Sequence, residues 1–402
     1  MEHTESARSF LRWREIPAGV WALGVVSLLM DLSSEMIHAL LPLYLVTVLG
    51  TSMLTVGIIE GIAESTASIT KIFSGALSDR LGKRKLLAVI GYGLAAVTKP
   101  VFPLAANVAW LVAARFVDRV GKGIRGAPRD ALVADLSPPA VRGASYGLRQ
   151  SLDTIGAVLG PLLAILFMLL LADNFRLVFW IAVVPAVLSL AVIVFVVREP
   201  ARPPARGTVA MPLAHAELAR LGSAFWLVVG IATLFTLARF SEAFLLLRAQ
   251  SVGLSLAFAP VVMAIMNVVY TLSAWPAGDL SDRVGRVGLL TAGFATLIVA
   301  DLVLAFADSI FGVGLGAALW GLHMGLTQGL LAALVADTAP SDLRGTAFGV
   351  FNLVTGVAML VASLLAGALW DFAGPQVTFL AGAVFTTLAL AALAFTRARI
   401  RG

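Results

Sequence analysis

The sequence predicts an all-α integral membrane protein, and three observations support that fold class: composition, long apolar runs and an internal repeat. Of the 402 residues, 59% are hydrophobic and 13% are charged, and the mean hydropathy is +0.95. A soluble domain carries about 25% charged residues. Because a helix needs about 20 apolar residues to cross a bilayer, the chain holds up to about a dozen helices. The alternating segments of roughly ten residues that mark a membrane β-barrel are not found.

The apolar runs predict twelve transmembrane helices in two pseudo-symmetric six-helix bundles. We expect helices near residues 18–48, 54–77, 86–105, 108–136, 143–171, 177–197, 223–249, 256–277, 288–307, 309–338, 343–370 and 376–396. The bundles are expected at 18–197 and 223–396, joined by a cytoplasmic linker at 198–222 that is rich in Pro, Arg and Ala. Residues 1–17 lack the apolar core and cleavage site of a signal peptide. They are predicted to be a cytoplasmic segment, like the tail at 397–402.

Lysine and arginine lie almost entirely in alternate connecting segments, and this predicts the orientation of the helices. If both termini are in the cytoplasm, the external segments hold only Arg176 and Arg248. Because cytoplasmic loops carry the excess of positive charge, we expect a multi-pass protein of the inner or plasma membrane with both termini cytoplasmic. These loops account for the net charge of +6, which therefore does not indicate a nucleic-acid partner.

Several classes of site are not indicated by the sequence. The chain has no cysteine, so disulfides and thiol chemistry are excluded. Its four histidines are dispersed without zinc-site spacing, and no metal or cofactor is predicted. No phosphate-binding G-x-x-x-x-G-K-[ST] sequence supports ATP-driven pumping. Because no convergent nucleophile is found either, the chain is not expected to be an enzyme.

Two pairs of motifs recur at nearly the same spacing. Gly75–Lys85 reads G-A-L-S-D-R-L-G-K-R-K, and Gly278–Arg286 reads G-D-L-S-D-R-V-G-R, an offset of 203 (278 − 75). Ala131–Gly147 and Ala333–Gly349 share A-L-V-A-D and R-G, at an offset of 202 (333 − 131). We interpret the chain as a duplication in which each charged stretch is a short turn between two membrane helices. Repeated halves around a midplane site are a transporter architecture.

At these motifs the sequence resembles the Major Facilitator Superfamily. Gly75–Lys85 is similar to the family's loop signature between helices 2 and 3, G-x-x-x-D-R-x-G-[RK]-[RK]. The resemblance covers nearly the whole chain and implies two bundles that rock about a cavity lined mainly by helices 1, 4, 7 and 10. It also implies that the motif loop meets helix 11 and holds the cytoplasmic side closed. The gating candidates are Gly75, Asp79, Arg80, Gly82, Asp135, Arg142, Asp282, Arg283, Asp337 and Arg344.

For four of these gating candidates, a second interpretation stays open. Asp135 with Arg142, and Asp337 with Arg344, flank the turns after helices 4 and 10. These residues are expected either to bind the motif loop or simply to cap the helices at each turn.

Helix 5 carries a glycine pattern similar to the family's antiporter signature, G-x8-G-x3-G-P-x-x-G-G. The matching residues are Gly147, Gly156, Gly160 and Pro161, whereas Leu163 and Ala164 replace the final glycine pair. The resemblance implies export of a solute in exchange for protons.

Ionisable residues cluster at mid-membrane on helices 1 and 4. Asp31, Glu35 and His38 share one face of helix 1, about 60° wide. Helix 4 carries Arg115, Asp118, Arg119 and Lys122. A charge at the bilayer centre costs about 2.5–3.5 kcal/mol on insertion scales and needs a partner or water. We expect Asp31 and Glu35 to face the basic residues of helix 4 and to carry protons, tuned by Arg115 and Arg119. A static ion-pair cluster is the alternative.

Further polar residues on helices 1, 4, 5, 7 and 10 are candidates for substrate contacts. They are His38, Asp118, Lys122, Arg149, Asp153, Arg239, Glu242, Trp320 and His323. A charged N-terminal half that faces an aromatic, hydrogen-bonding C-terminal half suits an amphipathic organic solute. Arg149 and Asp153 are spaced i, i+4 and alternatively pair with each other. For Glu60 and Glu64 on helix 2, a place in the cavity and pairing with Lys99 or helix 11 are both open.

These observations predict a secondary active transporter that exports a small organic solute by alternating access, in exchange for protons. Proton-coupled uptake of a metabolite or chelated nutrient is the alternative within transport. A non-transporting receptor or scaffold is the alternative of another class, but neither of its expected marks, decayed motifs or a large soluble domain, is found. The expected partners are the solute, protons and the lipid bilayer, with no nucleic acid, and the protein is expected to act as a monomer.

Overall fold

The structure of the protein is a computed structural model that describes residues 15–81, 83–200, 218, 220–340 and 343–400. In these ranges the regular elements are helices, and no β-strand occurs. We number twelve helical spans: α1 (Ala18–Thr47), α2 (Met53–Leu81), α3 (Arg84–Leu104), α4 (Val108–Leu136), α5 (Arg142–Leu170), α6 (Phe175–Phe195), α7 (Ser223–Ser251), α8 (Val261–Val284), α9 (Arg286–Phe306), α10 (Ile310–Thr338), α11 (Arg344–Ala373) and α12 (Pro375–Ile400). The predicted all-α, twelve-helix class is confirmed.

Nine helices in the described part of the chain have the length and composition to cross a membrane. α2 and α4 fall outside this group because charged side chains lie along them, and the apolar part of α8 is the shorter segment Val261–Ala274. In a membrane, a charged helix is stable only where its neighbours supply partners or water. Among the described residues, α4 carries four buried charged side chains, Arg115, Asp118, Arg119 and Arg125.

Three spans are interrupted. α1 consists of Ala18–His38 and Leu41–Thr47, and α3 consists of Arg84–Thr98 and Val101–Leu104. Pro100 has no amide N–H to donate, and this accounts for the interruption of α3. α7 consists of two segments, Ser223–Ala238 and Ala243–Ser251.

The interruption of α7 contradicts the prediction of one continuous helix near residues 223–249, which would carry both Arg239 and Glu242. Both lie in the non-helical segment 239–242. The amide of Ser241 donates to the hydroxyl oxygen of Ser363 on α11, at 3.2 Å. The Ser241 hydroxyl oxygen in turn accepts from the amide of Ala243 at 3.2 Å. Side-chain oxygens thus replace the backbone partners that a continuous helix would supply.

The sequence predicted that the two charged stretches are short turns between helices. In the structure they are mainly the last turns of long helices. α2 continues to Leu81 and α8 continues to Val284. Charged and small residues are compatible with a helix that extends beyond the apolar layer, because water solvates their side chains there. In the second stretch the chain reverses at Gly285, whose φ of +88° suits a residue without a Cβ. Gly82, at the matching position of the first stretch, lies outside the described residues.

The helices pack as two sets of six with matching contacts. In the N-terminal half, α1 packs against α5 and α6, and α4 packs against α2 and α3. In the C-terminal half, α7 packs against α11 and α12, and α10 packs against α8 and α9. The halves meet through α2 with α11 and through α5 with α8. Each contact has its counterpart six helices later, so the helix packing repeats as the sequence motifs do.

The two ends of the molecule differ in how the halves meet. The end that carries Arg84, Lys85, Arg142, Arg286 and Arg344 is called the basic end here, and the other the opposite end. At the opposite end one buried apolar cluster joins the halves, with Tyr44 of α1 and Leu245 of α7 among its members. At the basic end, the buried cluster around Val20 and Leu132 contains only residues of the N-terminal half among those described. The space between the halves is therefore closed at the opposite end and opens toward the basic end.

Candidate functional site

A cavity of about 220 Å³ lies between the two halves at the middle of the molecule. α1, α2 and α4 form one wall, and the interrupted segment of α7, with α10 and α11, forms the other. Its lining residues are Glu35, His38, Glu64, Arg119, Lys122, Arg239, Phe240, Ser241, Glu242, Trp320, Gln328 and Met359. Charged groups line both walls, whereas the aromatic side chains, Phe240 and Trp320, come from the C-terminal half.

Three titratable side chains, which we name the Glu35–His38–Glu60 relay, lead from this cavity into the protein. His38 Nδ1 lies 3.5 Å from Glu35 Oε2, and His38 Nε2 lies 3.3 Å from Glu60 Oε2. Glu35 lines the cavity, whereas Glu60 is fully buried. One imidazole nitrogen faces each carboxyl group, so the three side chains form a row from the cavity wall to Glu60, although His38 Nδ1 makes no hydrogen bond in the described structure.

Glu60 is the point at which the relay meets the other half of the molecule. Its Oε2 accepts a hydrogen bond from Arg115 Nη2 at 2.8 Å. The same oxygen lies 3.4 Å from the hydroxyl of Ser241, in the interruption of α7. A buried carboxylate is tolerated only where a cation and hydrogen-bond donors compensate it. The Glu60 carboxylate therefore contacts both halves, through Arg115 in its own half and Ser241 in the other.

The other mid-membrane charges of the N-terminal half are paired as well. Arg119 lies 3.3 Å from Glu64. Lys99 Nζ donates to Asp118 Oδ1 at 2.9 Å and to the hydroxyl oxygen of Ser34 at 3.0 Å. Both members of the Lys99–Asp118 pair are buried, so the pair holds α3 against α4 and does not face the cavity. Asp118 therefore does not line either described cavity, and its contact with a substrate stays a prediction.

A second polar cavity, of about 390 Å³, continues from the first toward the basic end. Asp31 lines it and lies 4.0 Å from Arg125. Asp153 lines it as well, 3.4 Å from Arg129 and 3.5 Å from Arg149. Arg149 and Asp153 thus pair with each other, which is the alternative to a substrate contact that their i, i+4 spacing indicated. Acidic and basic groups alternate along this wall of the N-terminal half.

Contrary to the prediction from the sequence, Arg115 and Arg119 of α4 do not pair with Asp31 and Glu35. A different basic residue of α4, Arg125, lies near Asp31. Arg115 and Arg119 bind carboxylates of α2 instead. Helical periodicity shows which residues share a face of one helix, but it does not identify the neighbour that this face meets. In the fold α4 packs extensively against α2, whereas α1 packs mainly against α5 and α6.

Two glycines of the antiporter-like motif bring α5 against the charged face of α1. A Cβ on Gly156 would lie 2.6 Å from a carbonyl oxygen of α1, and a Cβ on Gly160 would lie 2.5 Å from the Cβ of Glu35. Pro161 follows within the helix and is buried. A Cβ on Gly147, by contrast, would meet nothing within 4 Å in the described structure, and this glycine lines a groove of about 750 Å³ between α5 and α8. Gly156 and Gly160 therefore allow α5 to approach α1 closely beside Asp31 and Glu35, whereas Gly147 makes no such approach.

The cavity wall of the C-terminal half presents charges without ionic partners. Arg239 and Glu242 form no ion pair in the part of the chain that the structure describes, and Arg239 Nε has no hydrogen-bond partner there. The Arg239 guanidinium lies 5.7 Å from the centre of the Phe235 ring, a cation–π contact. Phe240 and Trp320 pack with 5.5 Å between ring centroids. Such a wall suits an amphipathic solute that carries its own charge.

Two fully buried polar residues of the C-terminal half do not line this cavity. His323 is fully buried and meets the Trp320 ring edge-on, with 5.4 Å between ring centroids. It was predicted to contact the substrate, but it does not line the cavity. Asp301 on α9 is also fully buried, and neither carboxyl oxygen has a hydrogen-bond partner among the residues described. The sequence analysis missed Asp301, although a lone acid inside an apolar run was the available signal.

At the basic end, the repeated motifs form matching ion pairs. Arg84 pairs with Asp135, and Arg286 pairs with Asp337. Each pair joins the start of one helix to the end of the next within the same half. The two aspartates therefore bind the charged stretches, which is one of the two interpretations that the sequence left open. Arg344 Nε donates to the carbonyl oxygen of Ala336 at 3.2 Å.

For the remaining gating candidates, the predicted gating role stays a prediction. Gly75 lies within helical α2, and Arg142 begins α5 at the basic end. Gly82 and the side chains of Asp79, Arg80, Asp282 and Arg283 lie outside the described residues.

One group in the described chain has the spacing of a metal site. Ligand atoms of His38, Glu60 and Glu64 all lie within 4.8 Å of one another. Arg115 and Arg119 already neutralise the two carboxylates. Because a divalent cation bound there would be close to two guanidinium groups, the arrangement favours ion pairs over a metal.

Sequence reasoning also missed Arg125 and Arg129, which line the second cavity. Both continue the three- and four-residue spacing of the charges from Arg115 to Lys122 on α4. That periodicity was the signal that would have extended the predicted charged face toward the basic end.

The sequence profile of the Major Facilitator Superfamily matches residues 23–362 and residues 243–401. An uncharacterized MFS-type transporter of Methanocaldococcus jannaschii is 36% identical over 383 residues, which is 93% of this chain and 94% of the relative. A gentisate transporter of Corynebacterium glutamicum is 27% identical over 359 residues, 85% of this chain and 80% of the relative.

A crystal structure of a point mutant of the nucleoside transporter NupG has the same fold. It superimposes with a TM-score of 0.80 at 13% sequence identity, over 94% of this chain and 99% of that one. The match of helix number, packing and sequence across nearly the whole chain leads to one conclusion. The protein belongs to the Major Facilitator Superfamily and is a multi-pass transporter of the plasma membrane.

Proposed function

We propose that the protein exports a small organic solute in exchange for protons, by alternating access. The observation that carries the proposal is the Glu35–His38–Glu60 relay, because it connects the cavity wall to a buried carboxylate that touches both halves. In this proposal the protein acts as a monomer with both termini in the cytoplasm, so the cavity opens to the cytoplasm in the present conformation.

Exchange requires that the empty, deprotonated protein be locked. Ionised Glu60 provides the lock, since it binds Arg115 in its own half and Ser241 in the other. A proton on Glu60 removes the charge that binds Arg115 and weakens the contact with Ser241. A solute that binds beside Arg239 and Glu242 breaks the contact between Glu60 and Ser241 from the C-terminal half. It does so because Ser241 lies between Arg239 and Glu242 in the interruption of α7. The halves then move with a proton or with a solute, but not when both are absent.

The chemistry of the cavity supports an amphipathic organic solute. Phe240, Trp320 and Met359 supply apolar surface, while Lys122, Arg239 and Glu242 supply charge. The gentisate transporter among the relatives supports an aromatic acid as one candidate class. Proton-coupled uptake of an anionic metabolite is the second candidate function, and it is favoured by the basic groups Lys122 and Arg239.

The direction of coupling is tested in proteoliposomes. A thermal-shift screen in detergent, with gentisate included as an aromatic acid, identifies a solute that binds. The purified protein is then reconstituted, and movement of that solute is followed after a pH gradient is imposed. We expect solute to move against the direction of proton flow. Movement in the same direction as protons contradicts exchange and supports uptake.

The proposed proton carriers are tested in the same vesicles. Asp31→Asn and Glu35→Gln are expected to reduce gradient-driven transport to the level of protein-free liposomes. Asp173→Asn is the matched control, because Asp173 is exposed in the connection between α5 and α6 and its φ of 59° is one that asparagine also adopts. Unchanged transport in the first two variants removes those residues as carriers.

A further inference from the structure

We infer that Asp371 is a positioning residue of the transport cycle, which holds the opposite end closed by capping the first turn of α2 from the other half. Asp371 lies near the end of α11. Its Oδ1 accepts a hydrogen bond from the amide of Met53 at 3.0 Å, and its Oδ2 accepts one from the amide of Leu54 at 2.8 Å. Met53 and Leu54 are the first two residues of α2. A carboxylate of the C-terminal half thus binds a helix terminus of the N-terminal half.

Asp371 accepts hydrogen bonds from two amides that have no hydrogen-bond partner within α2. The first four amides of a helix have no partner within it, and the aligned peptide dipoles place partial positive charge there. The hydroxyl of Ser52, the residue just before α2, accepts from the amide of Thr55 at 3.2 Å. The helix therefore carries one cap of its own, and Asp371 supplies partners for two further amides. No lysine or arginine in the described ranges forms an ion pair with Asp371, so its charge is directed at α2.

Close backbone packing explains why Asp371 reaches this terminus. A Cβ on Gly57 would lie 2.2 Å from the carbonyl oxygen of Ser363, and a Cβ on Gly367 would lie 2.5 Å from the carbonyl oxygen of Met53. α2 and α11 therefore touch backbone to backbone over the turns below Asp371. Ser363 also accepts from the amide of Ser241, whose hydroxyl lies beside Glu60. The contact made by Asp371 is thus continuous with the lock at the centre of the molecule.

The internal repeat provides a second helix pair with which this contact can be compared. The halves also meet through α5 and α8, which correspond to α11 and α2 in the repeat. At the position of α5 that matches Asp371 (371 − 202) the residue is Leu169. Of the two equivalent helix pairs, the one formed by α2 and α11 has a carboxylate at this position and the other has a leucine. This difference is expected if Asp371 controls separation of the halves and does not only complete their packing.

The inference rests on the proposed function for its place in a transport cycle, but its test needs neither solute nor a proton gradient. The chain has no cysteine, so spin labels are introduced without removing native thiols. Leu104→Cys with Phe311→Cys labels the opposite end, one position in each half, and Phe195→Cys with Phe395→Cys labels the basic end. All four side chains are exposed. Distance distributions between the paired labels give the ratio of open to closed molecules at each end.

Asp371→Ala is expected to raise the ratio of open to closed molecules at the opposite end about fivefold, the fold-change that corresponds to about 1 kcal/mol for a lost N-terminal cap. The basic end should close in the same proportion. Asp371→Asn should give a smaller shift in the same direction, because the amide oxygen still accepts a hydrogen bond but carries no charge. This conservative variant also provides the test if the alanine variant folds poorly.

Ser52→Ala is the matched control, because it removes a cap from the same helix terminus without involving the other half. It should lower the melting temperature and leave both distance distributions unchanged. The inference is overturned if Asp371→Ala and Asp371→Asn leave the distributions as in the wild type, or if Ser52→Ala shifts them equally. Such a failure leaves proton exchange untouched, whereas failure of the vesicle experiment leaves this contact intact.

Discussion

The two halves share one arrangement of six helices, but their cavity walls are built differently. In the N-terminal half the buried charges form pairs, such as Lys99 with Asp118 at 2.9 Å and Arg115 with Glu60 at 2.8 Å. In the C-terminal half Arg239 and Asp301 have no ionic partner among the residues that the structure describes. A paired network fits reversible proton binding, and a wall with unpaired charge fits a charged solute. The helix packing is common to both halves, whereas the chemistry is not.

Matching positions in the repeat show where this divergence lies. At the basic end both halves keep the same ion pair, Arg84 with Asp135 and Arg286 with Asp337. At the centre, Gly160 in α5 corresponds to Ala362 in α11 (160 + 202), so the close approach that positions Glu35 has no glycine counterpart. The framework is therefore repeated at the periphery and specialised at the cavity.

The largest expected difference between the halves concerns stability. Asp118→Asn leaves Lys99 as a buried charge without its partner, and breaking such a pair costs about 3–5 kcal/mol. Asp301→Asn removes an acid that has no partner among the described residues, and should change the free energy of unfolding by less than about 1 kcal/mol. Denaturant unfolding in detergent measures both. Equal losses in the two variants contradict the distinction between paired and unpaired charge.

The next largest effect concerns solute charge. Arg239→Gln should weaken binding of an anionic probe such as gentisate, and Glu242→Gln should weaken binding of a cationic probe such as tetraphenylphosphonium. A hydrogen bond to a charged group is worth about 1.5–3 kcal/mol, or about 10- to 150-fold in affinity. Calorimetric titration measures each affinity. If both variants weaken both probes alike, the two charges do not discriminate between solutes.

The close approach of α5 to α1 provides a smaller and more local test. Gly160→Ala places a Cβ 2.5 Å from that of Glu35, so it should destabilise the protein by about 1–3 kcal/mol and impair transport. Gly230→Ala in α7 is the control, because nothing described lies within 4 Å of a Cβ there. It should be neutral or stabilise by up to about 1 kcal/mol, since alanine favours a helix over glycine. Melting curves of the two variants give the comparison, and similar curves argue against close packing at Gly160.

The smallest effects are expected at the basic end, where the halves are alike. Asp135→Asn and Asp337→Asn should each lower the free energy of unfolding by about 1 kcal/mol or less, because partly exposed ion pairs contribute little. Asp135 is the less exposed of the two, with 20% of its side chain accessible against 53% for Asp337, and should show the larger loss. Unfolding at low and high salt measures the difference. A larger loss in the C-terminal half contradicts the burial argument.

The helices were predictable from the sequence because their signals are local: apolar runs of membrane-spanning length and basic connecting segments. The interruption of α7 was not predictable, since it depends on Ser363 of another helix. The partners of Arg115 and Arg119 required knowledge of which helices are neighbours. The contact of Asp371 with Met53 joins residues 318 positions apart, and no pattern along the chain indicates it. The sequence therefore located the charged chemistry, and the packing determined its partners.

The central claim is that protonation of the relay in the N-terminal half releases the lock between the halves. It is tested most directly with the Leu104→Cys and Phe311→Cys label pair, by comparing distance distributions at about pH 5 and about pH 8, the range in which histidine titrates. In the otherwise unaltered chain, acidification should increase the population that is open at the opposite end. With Glu60→Gln added, this population should be high at both pH values. A pH-dependent shift that persists in the Glu60→Gln protein contradicts the account.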